Sequence, residues 1–244
     1  MNTMRNLLDA EIPLVAVSFG DQDSERLAQE AQAAGVDVAE LRVDRFSRTD
    51  PGHVLEQVRA FKSMPILATL RSRHEGGEWS GSEEERLELF RTVAPEVEAV
   101  DIELSSRGIL PDVIAAAHEN DTLAIVSYHN FEFTPPTEEL ETVVAEAKNA
   151  GADVVKVSTM VASESDVKRL ASLLLKAGAD TRLIVIAMGP VGAVSRVFFP
   201  ALGSPITYSF IGSSSAPGQL DFSETFRLLR TFYPAFDERK TALS

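Results

Sequence analysis

No cysteine occurs in this chain of 244 residues, which excludes disulfides, thiolate metal sites and cysteine nucleophiles. Histidine is scarce as well: the four present show no spacing that suits a zinc site. Positive charge is in deficit, with 23 Lys and Arg against 37 Asp and Glu and a formal net charge of −14. Nucleic acid and anionic membranes are therefore disfavoured as partners, although a local arginine cluster could still hold an anionic metabolite. No apolar run approaches the length of a membrane span, and the opening Met1-Asn2-Thr3-Met4-Arg5 lacks a signal-peptide core. A cytoplasmic location is expected. Lysine and carboxylate chemistry remain.

What is present is an ordinary globular composition, 44% hydrophobic and 25% charged, on a length that one α/β barrel commonly takes. Short apolar runs alternate with amphipathic segments, the pattern of βα units around a parallel sheet. Strands are predicted at 14–19, 38–44, 65–71, 99–104, 123–129, 154–159, 182–189 and 206–210. Helices are predicted at about 23–34, 51–62, 83–93, 107–118, 137–149, 163–176, 191–200 and 221–233. Eight of each is the count for an α/β (β/α)8 TIM barrel, expected as one domain over 1–244. A doubly wound sheet is the alternative, but it needs an open edge and usually fewer strands. Helix punctuation agrees: Asp50-Pro51 and Ser82 stand at helix starts, and Gly35, Gly151 and Gly178 close helices.

Strand parity carries the functional argument, because alternate side chains of a barrel strand face the interior and the helix layer. In Val154-Val155-Lys156-Val157-Ser158 the valines 155 and 157 face out, which turns Lys156 and Ser158 inward. Taken alone, that lysine could equally protect an edge strand or snorkel to water. The other strands speak against it. Leu41 and Val43 outward place Glu40, Arg42 and Asp44 inside; Ile102 and Leu104 outward place Asp101 and Glu103 inside; Ser127 and His129 face in, with Arg71 beside Thr69. A structural barrel core is filled with branched aliphatic residues, so seven inward residues of mixed charge, Glu40, Arg42, Arg71, Asp101, Glu103, His129 and Lys156, indicate a site.

A desolvated lysine near arginines has its ammonium form disfavoured, so it can be neutral and nucleophilic near physiological pH, which suggests a Schiff base with a ketone. A protonated imine is an electron sink, so one general base can then remove the adjacent proton, and His129 on the neighbouring strand is the candidate. His53 and His118 are read as surface residues at the opposite ends of strands or on outer faces, whereas His74 lies in the loop Arg73-His74-Glu75-Gly76-Gly77. Glu75 could fix the His129 tautomer or be a solvated loop acid, and its glycines would let the loop fold over the mouth. In Gly212–Gln219, Pro217 removes a backbone donor and Gln219 is neutral, which favours a lid over a phosphate cradle.

Glu40-Leu41-Arg42-Val43-Asp44, Arg71 with Glu75-Gly76-Gly77, Ser127-Tyr128-His129-Asn130-Phe131, Lys156-Val157, Met188-Gly189 with Ser195-Arg196, and Ser215-Ala216-Pro217-Gly218-Gln219 occur in one order. Together they resemble the type I 3-dehydroquinate dehydratase family, from the first strand to the last helix. The resemblance implies a shikimate-pathway lyase that dehydrates 3-dehydroquinate to 3-dehydroshikimate with no metal or organic cofactor, commonly as a homodimer. It implies that Lys156 forms the imine, that His129 removes the proton and later protonates the departing hydroxyl in a syn elimination, and that Glu75 orients His129. Glu40, Arg42 and Arg71 would hold ring hydroxyls, Arg196, Ser215 and Gln219 the carboxylate side, and Ser18 a further pocket position. Two other classes stay open at this level. A class I aldolase-type lyase would use the same barrel and lysine but should show phosphate-binding features; a binding protein on an inactive barrel should have lost part of the Lys156, His129 and Glu75 set.

Overall fold

The structure, a computed structural model, describes residues 3–178, 181–212 and 217–242. The β-branched runs form β1 (Leu14–Phe19), β2 (Val38–Arg42), β3 (Ile66–Thr69), β4 (Ala99–Glu103), β5 (Leu123–Asn130), β6 (Val154–Met160), β7 (Leu183–Met188) and β8 (Ile206–Ser209). All neighbours pair in parallel, in the order β7-β6-β5-β4-β3-β2-β1-β8. β7 and β8 come into contact without a ladder, so the sheet curls into a nearly closed (β/α)8 TIM barrel.

The helices are α1 (Met4–Asp9), α2 (Ser24–Ala34), α3 (Pro51–Ala60), α4 (Glu83–Val93), α5 (Leu110–Glu119), α6 (Thr137–Asn149), α7 (Glu164–Lys176), α8 (Ser195–Phe198), α9 (Phe222–Phe232) and α10 (Pro234–Thr241). Their starts follow the sequence: Asp50 accepts from the His53 amide at 3.1 Å with Pro51 in the first turn, and Ser82 forms a reciprocal capping box with Glu85. Gly35 ends α2 in the left-handed conformation at φ 84°.

Parity divides the apolar residues into two cores. Outward residues such as Val15, Leu41, Ile102, Val126, Val155 and Val157 pack under the helices. Inward residues at the strand starts, including Leu14, Val38, Leu67, Leu123 and Ile184, fill the barrel floor together with Met4, Leu7 and Leu8 of α1. Truncating one such floor residue to alanine would cost about 2–5 kcal/mol. Above that floor every strand but β7 brings a polar or ionisable side chain inward, and the site begins there.

Three departures from the sequence expectation have physical causes. α1 lies ahead of the first expected helix; Thr3 caps it, accepting from the Asn6 amide at 3.3 Å, and its apolar face buries in the floor. α10 follows because Phe236 is buried and Lys240 reaches Asp37 at 2.6 Å, contacts that periodicity cannot reveal. The helix expected at 191–200 is broken into a 3-10 turn at Pro190–Gly192, α8, and a second 3-10 turn at Phe199–Leu202. A Cβ on Gly192 would lie 2.3 Å from the Ala187 carbonyl oxygen, and Pro200 removes an amide donor, so a continuous helix cannot be laid against β7.

Candidate active site

Lys156 is 4% exposed, at the middle of β6 between Ser127 of β5 and Ile184 of β7. Its Nζ donates to Asp101 Oδ2 at 3.0 Å, lies 3.8 Å from Glu40 Oε1, and sits 4.4 Å above the ring centroid of Tyr208. Burial alone would lower the lysine pKa, but the carboxylate charges of Asp101 and Glu40 outweigh it and push the value up. Burial among arginines disfavours the ammonium, but Asp101, from 55 residues away, outweighs that and holds Lys156 as an ammonium. Asp101 is itself fully buried, yet Arg71 and Lys156 keep it well below the usual carboxylate range.

His129, at the end of β5, is positioned from the loop after β3. Glu75 Oε2 accepts from the His129 amide at 2.8 Å and lies 2.9 Å from Nδ1, while Glu75 Oε1 accepts from Ser105 Oγ at 2.5 Å. A proton on Nδ1 leaves Nε2 with its lone pair, the form a general base needs. Burial, then the charges of Arg71 and Lys156, lower the His129 pKa well below 6.5, so the ring is neutral. Burial pushes the Glu75 carboxyl up to about 7. Glu75 is thus a buried partner and not a solvated loop acid. Its glycines serve packing rather than mobility: a Cβ on Gly77 would lie 2.0 Å from the Arg71 carbonyl oxygen, and one on Gly76 2.5 Å from the Phe131 ring. Phe131 in turn stacks on His129 at 6.3 Å. His74 is exposed, and His118 is exposed beside Asp153. His53 differs from its surface reading: it is only partly exposed and bonds Asp21 Oδ2 at 2.9 Å.

The remaining inward charges form a closed network. Arg71 donates to Asp101 Oδ1 at 2.5 Å and Ser127 Oγ at 2.6 Å, and lies 3.2 Å from Glu103. Glu103 also accepts from the Ser72 amide at 2.7 Å and from Arg86, a fully buried helix residue that no helical periodicity singles out. Glu40 accepts from Ser18 Oγ and, at 2.9 Å, from Thr69 Oγ1. Arg42 forks onto Asp44 at 2.8 and 2.7 Å, so its guanidinium is already engaged. Buried charges paired and hydrogen-bonded in this way avoid the several kcal/mol that an isolated one would cost.

Arg196 is the exception. It is 2% exposed, and among the described residues its Nε and Nη2 have no hydrogen-bond partner. Burial lowers its pKa to about 10, still leaving a cation near neutral pH. It lines the same cleft, of about 620 Å3 out to its mouth, as Lys156, His129, Ser18, Glu40 and Gln219. Gln219 is held there because Gly189 N donates to Pro217 O at 3.2 Å, and a Cβ on Gly218 would lie 2.3 Å from the Gly189 carbonyl oxygen. Ser215 lies outside the described residues. Ser158 and Tyr208 also line the cleft and were not singled out as site residues, although Ser158 had been placed facing in and Tyr208 shares the inward parity of Ile206. Among the described residues no group of three or more His, Cys, Asp or Glu side chains is placed to hold a metal ion.

A (β/α)8 barrel with a buried lysine, a carboxylate-tethered neutral histidine and an unpartnered arginine around one mouth-side cleft defines a barrel enzyme site suited to amine and acid–base chemistry. A family model described as Type I 3-dehydroquinase matches residues 5–235. The 3-dehydroquinate dehydratase of Methanosarcina barkeri is 37% identical over 232 residues, 91% of this chain and 96% of that protein. The crystal structure of the 3-dehydroquinate dehydratase from Aquifex aeolicus VF5 superposes with a TM-score of 0.84 at 35% identity, covering 91% of this chain and 99% of that one. A type I 3-dehydroquinate dehydratase from Clostridium difficile, described with covalently modified comenic acid, gives 0.85 at 29% identity over 92% and 94%. The chain belongs to the type I 3-dehydroquinase family.

Proposed function

We propose that this chain dehydrates 3-dehydroquinate to 3-dehydroshikimate, as a lyase of the shikimate pathway, through an imine on Lys156 with His129 as the general acid/base. The observation that carries the reading is that one cleft joins a buried lysine to a buried, neutral histidine whose Nδ1 is tethered to Glu75 at 2.9 Å. The ammonium first gives up a proton to His129 Nε2; Nζ then adds to the substrate ketone, and His129 returns that proton to the carbinolamine hydroxyl, which leaves as water and gives a protonated imine. Asp101, 3.0 Å from Nζ, stabilises that cation as it does the ammonium, which keeps the imine an electron sink. His129 Nε2 takes the proton from the adjacent carbon and returns it to the departing hydroxyl, and hydrolysis of the imine releases product. Glu75 orients the ring and stabilises the transient imidazolium.

Ser18, Glu40 and Arg71 shape the hydroxyl side of the pocket, with Arg42 acting through its pairing with Asp44; Arg196, Gln219 and Ser215 take the carboxylate side. The unpartnered Arg196 supports that polarity, since a buried planar cation matches a carboxylate. Borohydride added with 3-dehydroquinate should fix one ligand-sized mass on the peptide containing Lys156, and ultraviolet absorbance should report the new conjugated enone. Labelling on any other lysine would overturn the mechanism, and no enone would overturn the activity.

The reading extends to a cytoplasmic homodimer of single catalytic domains. Val194, Phe198 and Phe232 are 58%, 49% and 63% exposed and form one apolar face on α8 and α9, which a second copy would cover. Light scattering that finds a monomer at micromolar concentration would remove this part of the proposal.

A further inference from the structure

Besides Arg196, the cleft is lined by two other residues with a buried polar atom left without a partner among the described residues, Ser158 and Tyr208. Tyr208 lies in β8 opposite Ala16 of β1, its side chain turned into the barrel and 4% exposed. Its hydroxyl is buried without a hydrogen-bond partner among the described residues. Lys156 Nζ stands 4.4 Å from the ring centroid, and an ammonium can only donate, so it offers the phenol O–H no acceptor. A buried hydroxyl left unsatisfied opposes folding, so its retention in a cleft wall calls for a partner that arrives with the ligand.

The surroundings of the phenol say which partner. Lys156 is committed to Asp101, and Glu40 already accepts from Ser18 and Thr69. Ser158 Oγ and the Nε and Nη2 of Arg196 also lack partners among the described residues of this cleft, and Arg196 is the one that carries a positive charge. Burial keeps the phenol protonated well above its ordinary pKa, so it is a donor at any working pH. Two buried donors that line one cleft, one cationic and one neutral, make a seat for a carboxylate.

From this geometry we infer that Tyr208 is a substrate-positioning residue whose hydroxyl donates to the substrate carboxylate shared with Arg196. The inference rests on the dehydration proposed above. It places the carboxylate between Arg196 and the lysine, so that Tyr208 sets the distance from the anchored end of the ring to the carbon that Lys156 attacks.

Tyr208→Phe tests it, because the ring that faces Lys156 is kept and only the hydroxyl is removed. In 3-dehydroquinate turnover KM should rise about tenfold or more, the loss of one hydrogen bond to a charged group, with kcat changed by less than about threefold. Half-saturation of borohydride trapping by a cyclic ketone analogue that lacks the carboxylate should be the same in both proteins. The ligand-free variant should melt no lower than wild type, since an unpartnered buried hydroxyl has been removed. An unchanged KM, a fall in kcat alone, an equal weakening for the carboxylate-free ketone, or a lower melting temperature would each overturn the assignment. If the wild type itself neither turned over 3-dehydroquinate nor was trapped by borohydride, the underlying reading would fall; if it did both and Tyr208→Phe matched it, the carboxylate seat alone would fall.

Discussion

Replacing Glu75 by glutamine separates two consequences of one buried carboxyl. Glu75 is 6% exposed, and its burial raises the pKa from 4.5 to about 7. The folded protein therefore holds this proton more tightly than the unfolded chain. Below about pH 4.5 both states carry it and folding is not penalised; between about 4.5 and 7 the unfolded chain gives it up first and stability falls; above about 7 the penalty is constant. At about 1.4 kcal/mol per pH unit the full penalty is roughly 3 kcal/mol. Glutamine removes it while keeping an oxygen for the His129 amide and Nδ1–H and an amide that can donate to Ser105 Oγ. Urea unfolding followed by circular dichroism should find Glu75→Gln equal to wild type near pH 4 and more stable by up to roughly 3 kcal/mol near pH 8. Activity should move the other way. The carboxylate that stabilises the His129 imidazolium is lost, so kcat should fall between that of wild type and His129→Ala, and the wild-type decline in kcat/KM as pH drops through about 7 should disappear. A stability difference that did not change between pH 4 and 8 would refute the assigned protonation of Glu75, and an unchanged kcat would remove its role at His129.

His129→Ala should still be trapped by borohydride yet turn over about two to four orders of magnitude more slowly, the usual loss for a missing acid–base group; near-normal turnover would shift the role to another residue. Asp101→Asn should lower the pKa of Lys156, because burial and Arg71 then act without the opposing carboxylate, so the pH of half-maximal trapping should move down. If that pH stayed fixed, Asp101 would not govern the lysine. Arg196→Lys keeps the charge but loses the planar fork, and KM should rise by on the order of tenfold or more. Unchanged KM in Arg196→Lys and Arg196→Ala, with circular dichroism confirming the fold, would put the carboxylate elsewhere.

Much of the barrel was legible because the alternation of side chains is a local property of the backbone. Val155 and Val157 on the helix side force Lys156 inward whatever the rest of the chain does, and the same holds for Glu40, Asp101 and His129. The eight strands and their neighbour order follow from βα alternation alone. Arg86 was not legible, since an arginine in Glu83–Val93 reads as a solvated helix face until Glu103 and the Leu70 carbonyl are brought to it. Nor was α1, six residues long, whose Met4, Leu7 and Leu8 owe their burial to the barrel floor they plug.

Charge state lay beyond the sequence for the same reason. A desolvated lysine among arginines has its ammonium form disfavoured, and only closure of the barrel sets Asp101 of β4 at 3.0 Å from Nζ and reverses the sign. The inward face of Glu40, Asp101, His129 and Lys156 was determined along the chain, by periods of two, whereas Glu75, Arg196 and Gln219 lie outside the strands, where no such period runs. Which inward charges neutralise one another, and which polar atoms, like Nε and Nη2 of Arg196 and the Tyr208 hydroxyl, find no partner among the described residues, was decided by tertiary structure, because Coulomb and hydrogen-bond energies depend on separations of a few ångströms between strands far apart in sequence.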